Sequence, residues 1–107
     1  MKQPSDVIGT GTLSKSKINR TIKRNSRALQ ACYENELKKD GSLQGTIRVQ
    51  FTIALSGRVS SVSILKNTIG SRAVAKCISA RVKRWRFSKP QGGEVSIAYP
   101  FVFTPAN

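Results

Sequence analysis

The sequence predicts an α+β fold: a three-stranded antiparallel sheet with two helices packed on one face, in the order α-β-β-α-β. Three observations carry this. Two segments repeat apolar residues at helical spacing, three segments alternate apolar with polar residues, and a Ser-Gly pair joins two of the alternating runs as a hairpin turn would. With 107 residues, 38% of them apolar, the chain has material for one small core and no second.

Residues 1–12, rich in Gly, Thr, Ser and Pro, read as a flexible lead-in, and a single domain is expected over 13–104. From Ser16 to about Lys39 the residues Ile18, Ile22, Leu29, Cys32 and Tyr33 share one arc at about 100° per residue. Ser14 or Ser16 can cap this helix, Asn25 and Ser26 weaken its middle, and Asp40-Gly41 supplies a stop. The stretch "GTIRVQFTIALSGRVSSVSIL" then alternates through Ile47, Val49, Phe51 and Ile53, turns at Ser56-Gly57, and resumes with Val59, Val62 and Ile64. The change of phase between Val59 and Val62 predicts a bulge near Ser60 and Ser61.

A second helix is expected from Ser71 to about Arg86, with Val74, Cys77, Ile78, Val82 and Trp85 on one buried stripe. Arg81 falls inside that arc, where its stem would lie along the core while its head reaches an acid or a carbonyl. In "EVSIAYPFVF" Val95, Ile97, Tyr99, Phe101 and Phe103 alternate as the third strand, which Pro100 assigns to a sheet edge.

Composition removes most chemistry. The chain has no histidine, so Ser-His-Asp and Cys-His catalysis and the usual zinc sites are excluded, and two cysteines cannot complete a metal site alone. The five acids are scattered, and the nearest two, Glu34 and Glu36, point to different faces of a helix. No enzyme activity, no cofactor and no small-molecule substrate is therefore expected. No run reaches the length of a membrane span, and "MKQPSDVIGTGT" has no apolar stretch of signal-peptide length. Met1 fits either the start of a cytosolic protein or the head of a piece cut from a longer exported one.

A net charge of +14 favours anionic partners. Lys17, Arg20, Lys23, Arg24 and Arg27 gather opposite the apolar arc of the first helix, with no acid between them and Glu34. This basic surface would suit an acidic protein or a cell-wall surface, and equally a solvated face that keeps the domain soluble. The stretch "RVKRWRFSKP" adds five basic residues around the one tryptophan. Nucleic-acid binding there would need Trp85 and Phe87 exposed as stacking rings. The helical phase instead turns Trp85 inward, so both aromatics are expected to be core anchors and nucleic acid is not the expected partner. The cysteines lie on the buried stripes of two helices that cover one sheet, where they either bond or pack as small apolar residues. A bonded pair would place the domain outside the cytosol.

The combination "SLQGTIRVQFTIALSGRVSSVSIL", "VKRWRF" and "GGEVSIAYPFVF" resembles the C-terminal domain of TonB-like proteins. "ALQACYENEL", the second cysteine Cys77 and the closing Tyr99-Pro100-Phe101 bring it closest to the branch called the AgmX/PglI C-terminal domain. The resemblance covers about Leu13 to Phe103 and implies a Cys32–Cys77 disulfide. It also implies a periplasmic domain of a protein anchored in the inner membrane, part of an envelope-spanning assembly of the transport or gliding-motility type. TonB pairs its last strand with a short receptor peptide, so the expected site is the last strand, through Glu94, Ser96, Ala98, Tyr99, Pro100 and Val102. The partner it implies is a segment of an envelope or outer-membrane protein. The Tyr-Pro element that TonB-type domains carry before their first strand is missing here, where "CYENEL" stands. A basic nucleic-acid-binding or other polyanion-binding module is the alternative reading.

Overall fold

Residues 6–8 and 11–105 are described by a computed structural model. Helix α1 runs from Lys15 to Leu37, and Ser14 starts it by accepting the Lys17 N–H on its hydroxyl at 3.2 Å. It continues unbroken through the weak middle. There the Asn25 amide donates to the Thr21 carbonyl at 2.7 Å and the Ser26 hydroxyl to the Lys23 carbonyl at 2.9 Å, so both polar side chains fold back onto their own helix. Helix α2 spans Arg72–Lys83, with Ser71 capping it through the Val74 N–H at 3.2 Å.

Between and after the helices lie three long antiparallel strands, β2 (Gly45–Ile53), β3 (Val59–Asn67) and β4 (Val95–Phe103). The expected α-β-β-α-β order and one-sided helix layer are present. A fourth strand, β1 (Asp6–Ile8), joins them, and the sheet order is β1-β4-β2-β3. Residues 6–8, read from the sequence as part of a flexible lead-in, thus lie antiparallel to β4, with Asp6 opposite Ala98 and Ile8 opposite Ser96. Thr12 also bridges to Gln91, so ordered pairing begins ahead of the expected Leu13.

The register explains which faces are wet. β2 and β4 pair without interruption from Gly45 opposite Phe103 to Ile53 opposite Val95. Their inward sets, Ile47, Val49, Phe51 and Ile53 with Val95, Ile97, Tyr99, Phe101 and Phe103, are buried in one cluster with the apolar stripes of both helices. β2 and β3 slip twice. Ser60 is passed over between the Ile53–Val59 and Thr52–Ser61 pairs, where the phase change predicted a bulge. Leu65 is passed over in the same way between Val49–Ile64 and Arg48–Lys66, and its side chain is left exposed.

Helix α2 ends at Lys83, short of the expected Arg86. The Arg84 and Trp85 N–H groups bond to the Arg81 and Val82 carbonyls, each at 3.0 Å, and this tight last turn drops Trp85 into the core. Its ring meets Phe51 and Phe101 edge-on at 6.1 and 6.2 Å. The Phe87 N–H then donates to the Gly57 carbonyl at 2.8 Å, docking the hairpin turn on this segment. Gly57 has φ +88°, and a Cβ there would collide with the Phe87 carbonyl oxygen, so the turn admits only glycine. Arg81 is exposed rather than stem-buried, because the stripe that enters the core narrows to Val74, Ile78 and Val82.

Candidate partner-binding edge

Strand β4 presents two sets of residues. Ser96, Ala98, Pro100 and Val102 face away from the helices; Tyr99, also expected to belong to the binding edge, is 1% exposed and points into the core. Glu94 precedes the strand and is exposed. On the outer face the Ser96 and Thr52 hydroxyls lie 2.8 Å apart, tying β4 to β2. Val102, at 55% exposure, stands out among apolar side chains on this face.

The β4 edge is divided. β1 occupies Ser96 to Ala98, whereas Tyr99 to Phe103 has no strand beside it on that side among the described residues. The uninterrupted register with β2 passes through Pro100 opposite Arg48, so the position lacking an N–H belongs on the outer side, as proline in a sheet requires. The sheet's other edge, β3, has the same nine residues as β4 but bears the two bulges, exposed Lys66 and exposed serines, features that blunt an edge against pairing. A regular template for another strand is therefore offered by β4.

Lys17, Arg20, Lys23, Arg24 and Arg27 are all exposed on α1, and none forms an ion pair with a described residue. Cys32 and Cys77 are bonded, Cα to Cα 5.7 Å, joining α1 to α2. Next to Cys32 in the chain, the buried Tyr33 donates its hydroxyl to the Leu43 carbonyl at 2.6 Å, pinning the loop that leads into β2. Burial, with the Glu34 carboxylate second, pushes that phenol above its ordinary value. Two hydrogen bonds from Ser42, side chain and then backbone, hold the Asp40 carboxyl below its ordinary value in the same loop. Trp85 and Phe87 are 4% and 7% exposed, so neither ring is available for stacking.

Residues 33–105 match the family model described as the Gram-negative bacterial TonB protein C-terminal. The chain belongs to the TonB C-terminal family. Domains of this family are non-enzymatic, periplasmic interaction modules of envelope-anchored proteins. The chain is also 30% identical over 90 residues to the tyrosine-protein kinase MasK of Myxococcus xanthus, a match that covers 84% of this chain and 14% of that protein. No solved structure matches. Among the described residues of this TonB C-terminal domain, no helix is long and apolar enough to cross a membrane.

What sequence reasoning missed at the edge is β1. The available signal was the β-branched pair Val7-Ile8 between Ser5 and Gly9, too short to alternate visibly.

Proposed function

We propose that this domain is a periplasmic, non-enzymatic protein-interaction module in an envelope-spanning complex of the transport or gliding-motility type. It takes up an extended segment of an envelope or outer-membrane protein by strand addition along β4. One observation carries the reading: β4 is a regular strand whose edge already accepts an antiparallel segment at Ser96–Ala98 and, among the described residues, has no neighbour from Tyr99 to Phe103. Backbone bonds to that edge supply affinity, and the outward Pro100 and Val102 side chains supply selectivity. The parent protein is anchored in the inner membrane, and the basic face of α1 draws an acidic protein or a cell-wall surface toward the edge. The bonded cysteines support an oxidising compartment.

A photo-crosslinking residue at Val102, in the protein produced in its own cells, is expected to capture an envelope protein. The same residue at Ser63 on β3 is expected to capture much less. Equal capture from both edges, or none from Val102, would refute the reading. The burial of Trp85 argues against base stacking, the feature that a nucleic-acid module would have needed.

A further inference from the structure

The β2–β3 turn and the end of α2 enclose a depression of about 490 Å³ lined by Arg58, Val59, Lys83, Arg84, Trp85 and Arg86. Four of these six residues are cationic, and none is acidic. Arg58 and Arg86 are direct partners in an antiparallel bridge, an arrangement that sends both side chains off the same side of the backbone. The bridge is held rigidly by the Phe87–Gly57 hydrogen bond and by the contact that requires glycine at Gly57.

Helix stability accounts for part of this cluster. Lys83 and Arg84 sit at the C-terminal end of α2, where cations complement the helix dipole, and the Lys83 ammonium donates to the Ser60 carbonyl at 2.6 Å. Arg58 and Arg86 lie outside the helix, and both are exposed. Like charges placed directly opposite each other across two strands destabilise the pairing unless an anion lies between them. Two guanidinium forks and two further cations around a recess fit a compact, multiply charged oxyanion better than a single carboxylate, which would leave most of the charge uncompensated. The stripe on α1 is a convex helix surface; its first member, Lys17, borders a smaller depression of about 330 Å³ that holds one other cation, Lys89.

We infer that this recess, built on Arg58 and Arg86, is a binding site for a phosphoryl group. It lies at the end of the sheet where Ile53 pairs with Val95, whereas the part of β4 with no neighbour among the described residues runs toward the opposite end, where Gly45 pairs with Phe103. The site is therefore independent of strand addition.

Titration of the full chain with inorganic phosphate, at ionic strength held constant with chloride, tests this by amide resonances. Saturating shifts are expected at Arg58 and across Arg84 to Phe87. Affinity should fall roughly a hundredfold in Arg58→Gln/Arg86→Gln, since each of the two charge-assisted hydrogen bonds lost is worth about a factor of ten. Arg58→Lys, which keeps the charge and loses the fork, should fall between the two. Vesicles of equal phosphatidylcholine and phosphatidylglycerol separate the sources. Vesicle binding weakened by the double substitution assigns the phosphoryl group to a lipid headgroup, and vesicle binding untouched by it, with phosphate binding lost, assigns it to a soluble compound. Shifts that never saturate, that concentrate on Lys17 to Arg27, or that survive the double substitution unchanged would overturn the inference.

Discussion

Trp85 sits among basic residues in the sequence and among Phe51, Phe87 and Phe101 in the fold. Replacing it with alanine removes a large buried ring from the junction of α2 and the sheet. The expected loss is about 3–5 kcal/mol, read as a lower urea midpoint. Tyr33 carries two contributions, a filled core position and an anchor for Leu43. Tyr33→Phe keeps the first and should cost about 1 kcal/mol for the second. Both tyrosines, Tyr33 and Tyr99, have phenols held above the ordinary value of 10.0, chiefly by burial. As pH rises the unfolded chain gives up these protons first. The stability they contribute is therefore intact below pH about 10 and is lost as pH climbs through the folded values. Phenolate absorbance should rise at higher pH in the native protein than in denaturant; coincident curves would contradict the burial argument.

At the level of elements, the strands and helices were legible because their periods are long and clean. Nine residues of β4 alternate without a break, and α1 keeps one arc over 23 residues despite Asn25 and Ser26. The Ser60 bulge was legible as a phase error between Val59 and Val62. Leu65 had no such signal, since an exposed leucine on a strand looks like an inward residue until the register is known. Three-residue β1 shows no period at all, and only its pairing with β4 reveals it. The expected site was legible in part. Ser96, Ala98, Pro100 and Val102 share the outer face, but Tyr99 belongs to the same inward alternation as Ile97 and Phe101, and three of the nine residues of the edge are already paired with β1. Two predictions follow from that division. Asp6→Pro/Ile8→Pro, which removes from β1 the two backbone donors opposite Ala98 and Ser96, should speed amide hydrogen exchange at Ser96 and Ala98 and leave the β2–β4 ladder protected. Pro100→Val, which restores a donor to the open edge, should promote self-association in sedimentation experiments. A strictly monomeric Pro100→Val protein would mean that proline is not what blunts this edge.

Over the whole molecule, a charge of +14 repels itself, and added salt should raise the melting temperature as screening shortens to about 8 Å near physiological strength. The disulfide acts on the same scale. Breaking it by Cys32→Ala/Cys77→Ala should cost roughly 4 kcal/mol, with the fold retained at low temperature. Its position also decides how the domain answers to tension. The bond spans a sequence separation of 45 and short-circuits the end of α1, β2, β3 and the start of α2, so a load applied at the chain ends passes from Cys32 straight to Cys77. When the domain is stretched with the bond intact, those strands can detach from their neighbours but cannot lengthen the chain. Single-molecule extension should therefore gain roughly 150 Å of contour length once the bond is reduced. Under load, the oxidised domain is a short tether with a fixed limit of extension.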